Sequence, residues 1–220
     1  MTKSILYLAA SLVAISSIAS AEDLSTATAP LPPGTFTTSA HSDEWKIRNA
    51  LSGGPTTIAE HATVIDWPTN MMDGMSHTRV LRKGTNGWTC LPDMPGRPQH
   101  DPMCVDETTM KWLTATLAGK KPDIDRAGLS FMLDGEAREQ GGEHITSDKD
   151  PSQVKKWVYI GPHIMIVLPD SDKDALRDVS QHFSNDQPFK RVFGPADVGT
   201  PWWLIPIAKA GDRIEEVPMK

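Results

Sequence analysis

His100 and His163, with the carboxylates Asp93 and Asp101, are the residues best suited to acid–base chemistry in this 220-residue chain. Asp93, His100 and Asp101 fall between the two cysteines of the chain, Cys90 and Cys104, in a loop punctuated by Pro92, Pro95, Pro98 and Pro102. A bond between those cysteines would hold the three side chains in a defined place. A histidine beside a carboxylate can serve as a general base near neutral pH. One reading is therefore a hydrolase-type enzyme using His100 or His163 with Asp93, Asp101, Asp66 or Asp134 as acid or orienting group. Neither a nucleophile-elbow Gly-Ser pattern nor a helical pair of metalloprotease histidines accompanies them. The leading expectation is accordingly binding of a small ligand or an exported protein partner, without catalysis, by a surface comprising Asn86, Trp88, Asp93, His100, Asp101 and His163.

A second pattern is soft-metal ligation. The chain has ten methionines and seven histidines. Met72, Met75 and His77 cluster in one segment, and His163 and Met165 share a strand face by the two-residue period. Thioether and imidazole ligands together suit copper, which makes periplasmic copper binding a further alternative; no other cofactor is expected. Asp170-Ser171-Asp172-Lys173-Asp174 imitates the start of a calcium loop, but Ala175 and Gln181 stand where the glycine and glutamate should be. Trp202 and Trp203 are adjacent, so on a strand they point to opposite faces and cannot form one sugar platform.

Charge and address narrow the partners. Lys3, an apolar run from Ile5 to Ile18 and the small residues Ala19-Ser20-Ala21 have the layout of a secretory signal over 1–21. Removing it leaves 21 Lys plus Arg against 28 acids, a formal charge of −7. That balance disfavours nucleic acid and anionic membranes, which need clustered cations. No later stretch is long enough to span a bilayer, so a periplasmic or secreted address follows. In such a compartment the default for two cysteines is one Cys90–Cys104 disulfide.

The elements that would position these groups follow from local pattern. Residues 22–42 read as a flexible leader rich in Ser, Thr and Pro, 43–210 as one globular domain and 211–220 as a charged tail. Asp43 can cap a helix over Glu44–Leu51, and Asp106 one over Glu107–Ala118, with Met110, Leu113 and Leu117 at helical spacing. The sequence predicts strands at 63–67, 128–133, 157–160, 163–168 and 202–207, the apolar 163–168 run being central. Arg79–Lys83 and Trp88–Leu91 flank Gly84-Thr85-Asn86-Gly87 and predict a β-hairpin, with the disulfide tying its second strand to the start of the Asp106 helix. Residues 134–156 read as an acidic surface loop, and 172–180 as a short helix. Helices and strands mix without βαβ alternation, which predicts an α+β fold on a mainly antiparallel sheet.

The segments Gly84-Thr85-Asn86-Gly87-Trp88-Thr89-Cys90-Leu91-Pro92-Asp93, Asp101-Pro102-Met103-Cys104 and Gly161-Pro162-His163-Ile164-Met165 resemble an uncharacterised family of exported bacterial proteins. The resemblance runs from about Ile47 to Ile207 and is most specific at the cysteine loop. It implies that this loop belongs to the family's design and implies no reaction.

Overall fold

The computed structural model describes residues 41–70, 75–95, 100–139, 156–182, 184, 187–193, 200–207 and 216–218. The segments expected to be a signal (1–21) and, for the most part, a leader (22–42), residues 96–99 between the cysteines and residues 140–155 of the expected acidic loop lie outside these. The fold is α+β. An eight-stranded, mostly antiparallel sheet has the order β2-β1-β3-β4-β5-β8-β10-β9, and a smaller sheet the order β11-β7-β6. The strands of the large sheet are β1 (Thr63–Ile65), β2 (Val80–Arg82), β3 (Thr89–Leu91), β4 (Met103–Val105), β5 (Gly128–Met132), β8 (His163–Val167), β9 (Phe189–Phe193) and β10 (Thr200–Pro206). Those of the small sheet are β6 (Glu136–Glu139), β7 (Lys156–Ile160) and β11 (Glu216–Pro218).

Among the described residues three α-helices accompany them: α1 (Asp43–Ser52), α2 (Thr56–Ala59) and α3 (Glu107–Leu117). Capping explains where the longer two begin. The Asp106 carboxylate accepts from Thr109 N–H at 2.7 Å, as predicted, and its other oxygen takes Leu129 N–H at 2.9 Å, pinning the helix start to β5. At α1 the cap is Ser42, one residue before the predicted Asp43; its hydroxyl accepts from Trp45 N–H. Asp43 instead pairs with Arg79, which draws its carboxyl below the ordinary aspartate range through that hydrogen bond.

The predicted hairpin is corrected. β2 and β3 do not pair, because β1 lies between them, antiparallel to β2 and parallel to β3. Close packing at Gly84 accompanies this arrangement: a Cβ there would sit 2.2 Å from the Ala62 carbonyl carbon and the Thr63 nitrogen, so only glycine lets the turn lie on the start of β1. The disulfide is formed, but it joins β3 to β4, with Cys90 directly opposite Cys104 and their Cα atoms 4.0 Å apart. The helix starts just beyond β4 rather than at the cysteine.

Three further predictions are revised. Residues 136–139 form a strand with Glu136 buried, rather than belonging to a surface loop. Residues 216–218 of the charged tail pair with β7. The helix expected over 172–180 is a 3-10 helix over Asp170–Leu176.

Two faces of the large sheet divide the core. In register, Val105, Ser130, Met165 and Leu204 lie under α3, where Trp112, Leu113 and Leu117 pack with Met132, Val167 and Trp202. On the opposite face Cys104, Phe131, Ile164 and Ile205 align. There Ala50 of α1, Ala59 of α2 and Ala62, just before β1, pack with the disulfide, and Trp88 packs on Phe131 with ring centroids 5.5 Å apart. The strand 163–168 is central as expected, between β5 and β10. Trp202 is core and Trp203 lies on the other face, half-buried.

Candidate functional site

Asp93 organises a buried polar cluster at the end of β3. Its Oδ1 accepts from Asn49 Nδ2 at 3.0 Å and from Asp101 N–H at 2.9 Å, and its Oδ2 meets His100 Nδ1 at 2.5 Å. Asn49 returns the contact by accepting Asp93 N–H at 2.7 Å, and Asp101 Oδ1 accepts Met94 N–H at 2.8 Å. Residues 93–94 and 100–101 of the proline-rich loop are thus bonded to each other, and Asn49 of α1 is bonded to Asp93. Trp67 Nε1 adds a bond to the Pro92 carbonyl at 2.7 Å. A buried carboxylate is tolerable only when hydrogen-bonded, and here each Asp93 oxygen has a partner.

His100 is the member of the cluster with an open edge. With Asp93 accepting, Nδ1 is the nitrogen that carries a proton toward it, which fixes the orientation of the ring. Nδ1 is the ring nitrogen with a hydrogen bond among the described residues, and the ring is 7 % exposed. Trp45 borders it at 6.1 Å between centroids, and His41 stacks on Trp45 at 3.7 Å.

Asp134 adds a second carboxyl. It follows β5 and is hydrogen-bonded by Ser52 Oγ at 2.5 Å at the last residue of α1. Burial is the main cause that pushes its carboxyl above the ordinary range; the Ser52 bond opposes this and the charge of Asp93 adds to it. Asp134 also feels His100 electrostatically, so one turn of chain after β5 reaches the cluster.

His163 belongs to a different pair. Its Nδ1 bonds the Gly161 carbonyl at 2.7 Å, and its Nε2 lies 3.6 Å from Glu136 Oε1, both side chains being sealed from solvent. Asp66 is likewise elsewhere, bound to Lys46 at 2.7 Å and Arg79 at 3.1 Å. Of the expected binding residues, Asn86 uses its side chain inside the turn, donating to the Ile58 carbonyl at 2.7 Å and accepting Trp88 N–H at 3.1 Å. Trp88 packs beside the disulfide.

The soft-ligand set is dispersed by type of environment. Met75 and Met165 are both in the α3-side core, His77 is exposed, His163 faces Glu136, and Met72 lies outside the described residues. Among the described residues no group of three or more His, Cys, Asp or Glu is placed to hold a metal ion, and no helix is long and apolar enough to cross a membrane.

No family model, curated protein or solved structure matches this chain. The site is therefore argued from its own geometry. Its sequence-predicted members Asp93, His100 and Asp101 come together; His163, Asn86 and Trp88 serve other contacts. Asn49 and Ser52 were not anticipated. The signal for Asn49 is its spacing: four residues after Trp45, it sits on the buried face of α1, where a polar side chain needs a partner.

Proposed function

We propose that the protein is an exported, periplasmic or secreted small-ligand-binding domain, with membership in the exported bacterial family it resembles, and that its ligand meets the open edge of His100. The observation that carries this reading is the fixed imidazole: Asp93 holds His100 Nδ1 and is itself held by Asn49, so the other ring edge is a pre-oriented point of recognition. The reading moves the expected surface off Asn86 and Trp88 and onto the place where α1, the cysteine loop and the Asp134 turn converge.

The test uses His100→Asn, whose amide nitrogen replaces Nδ1 as the donor to Asp93 while Nε2 is lost. Thermal-shift screening of sugars, amino acids, amines and organic acids against the disulfide-bonded chain should yield compounds that stabilise the native protein, by about 2.7 kcal/mol at a hundredfold excess over Kd. The same compounds should leave His100→Asn unshifted. Equal stabilisation of both proteins, or no stabilisation by any compound, overturns the proposal.

A second reading, hydrolase-type acid–base catalysis, is favoured by one observation: a carboxyl held toward its protonated form within electrostatic reach of an oriented imidazole. That is the pairing of a general acid with a general base, in which Nε2 would take a proton from an attacking water. Turnover of chromogenic esters that vanishes in both His100→Asn and Asp134→Asn is the expected signature; turnover unchanged in either variant excludes it.

A further inference from the structure

We infer that α1 is a strap that lifts from the sheet as a unit, and that the Cys90–Cys104 bond beneath it exchanges with a dithiol only from the lifted form, so that the disulfide and the His100 cluster are kept or lost together. This goes beyond the binding reading and does not depend on it.

The first observation is how α1 is fastened. β1, β3 and β5 run in one direction, since β1 is parallel to β3 while β4 is antiparallel to both β3 and β5. Just past the C-terminal end of each stands an aspartate: Asp66, Asp93 and Asp134. Lys46, Asn49 and Ser52, spaced by three along one ridge of α1, meet them in that order. Lys46 Nζ donates to Asp66 at 2.7 Å, Asn49 Nδ2 to Asp93 at 3.0 Å and Ser52 Oγ to Asp134 at 2.5 Å. A backbone link, Leu133 N–H to the Gly53 carbonyl at 3.2 Å, holds the far end. The apolar share of the attachment is smaller. The buried residues of α1 are Trp45, Lys46, Asn49 and Ala50, whereas α3 buries Trp112, Leu113 and Leu117. Hydrogen bonds broken on lifting are largely replaced by bonds to water, and exposed core side chains have no such substitute. Lifting α1 is therefore cheaper than opening the α3 side, and no strand pairing has to break.

The second observation is what α1 covers. Both cysteines are sealed from solvent. Ala50 packs with them, its carbonyl oxygen lies 3.6 Å from Cys104 Sγ, and a Cβ on Gly54, two residues past the helix, would fall 2.8 Å from Cys104 Cβ and Sγ. Exchange requires a thiolate to reach a sulfur, which the seated helix prevents. Once α1 lifts, one thiolate of a dithiol bonds to the first sulfur as the S–S bond breaks and the second sulfur leaves as a thiolate. The other thiol of the reagent then displaces this mixed disulfide. The protein gains two electrons and two protons as the Cys90 and Cys104 thiols, and the dithiol becomes a disulfide. Two thiol sulfurs take more room than a bonded pair, and the packed Gly54 side offers none, so α1 does not return to its place. Asn49 then no longer holds Asp93, nor through it His100. The coupling is reciprocal: whatever fastens α1 shields the bond, and loss of the bond loosens the cluster.

The experiment follows reduction of the oxidised full chain by dithiothreitol without denaturant. Aliquots are alkylated with iodoacetamide and the bridged and doubly alkylated forms are counted by mass spectrometry, with native-state amide exchange of α1 recorded in parallel. Asn49 fastens α1 by two hydrogen bonds, each worth about tenfold, so Asn49→Ala should be reduced about a hundredfold faster. Ser52→Ala, at a half-buried rung, should give about tenfold and serves where the first variant does not fold. Leu113→Ala weakens the opposite side of the sheet and should leave the rate within about twofold. The α1 amides should exchange as one group, accelerated by the same factors, and should lose their protection in the reduced chain. Equal acceleration by Leu113→Ala and Asn49→Ala, or none by Asn49→Ala and Ser52→Ala, overturns the inference, because reduction would then pass through global unfolding or another opening. Faster reduction in Asn86→Ala than in Asn49→Ala overturns it by making α2 the cover, since Asn86 is bonded to Ile58. A reduced chain whose α1 amides stay as protected as in the oxidised chain overturns the coupling to the cluster.

Discussion

Removing Asn49 tests whether the cluster holds the cysteine loop to α1. In Asn49→Ala, Asp93 N–H loses its acceptor and becomes a buried unsatisfied donor, worth about 1–3 kcal/mol. Asp93 Oδ1 loses one of its two donors, and a hydrogen bond to a charged group contributes about 1.5–3 kcal/mol. Because Asp101 N–H still reaches that oxygen, and because water entering the gap recovers part of the loss, the expected destabilisation is about 3–5 kcal/mol. Native domains hold only about 5–15 kcal/mol in all, so the variant should be folded but marginal. The assay is equilibrium urea unfolding followed by tryptophan fluorescence, with the disulfide kept oxidised. The midpoint should fall sharply at unchanged slope. A loss below about 1 kcal/mol would refute the reasoning, since Asn49 would then be replaceable by solvent and the clamp would lie elsewhere.

Further expectations concern neighbouring features. Asp134 is held above its ordinary value of 3.8, so between 3.8 and its folded value the native state keeps a proton that the unfolded chain has released. Its contribution is present below 3.8 and lost as pH rises through that window; pH-dependent denaturation of Asp134→Asn should lack this decline, and an unaltered profile would count against the assignment. Replacing both Cys90 and Cys104 by alanine should cost about 3 kcal/mol in chemical denaturation, for a loop with a sequence separation of 14; a cost near zero would mean the unfolded chain already brings β3 and β4 together. Gly84→Ala should destabilise far more than Gly87→Ala. A Cβ at Gly84 collides with the backbone of β1, whereas Gly87 has open space and bears only the strain of φ +77°, about 1 kcal/mol. Similar melting temperatures for the two variants would argue that β1 does not lie against the turn.

What was readable in the sequence was local. Asp106 caps α3 because the donor it satisfies is three residues away, and β8 announces itself by an unbroken apolar run. His100 and Asp93 are seven residues apart in a closed loop, so their meeting was a short step. Asn49 contacts Asp93 across 44 residues, and nothing in the intervening chain encodes that distance. The β2–β3 hairpin failed for a related reason. Turn chemistry at Asn86-Gly87 is real, as Asn86 accepting from Trp88 shows, but a turn fixes where the chain reverses and leaves open whether a third strand enters between its arms. Glu136-Ala137-Arg138-Glu139 lacks any apolar period; it is a strand because β7 offers it a hydrogen-bonding edge.

The insertion of β1 between β2 and β3 also constrains the order of folding. A hairpin can zip from its turn within microseconds, but here the inner position must be filled by a strand made earlier in the chain, parallel to β3. β3 and β4, antiparallel and only 14 residues apart at the cysteines, are the pair able to close early. Once oxidised, they form a covalently registered template against which β1 docks, and β2 then completes the edge. Refolding from the reduced chain should therefore be slower than from the oxidised chain, with the lag in the burial of Val64 rather than in the formation of α3.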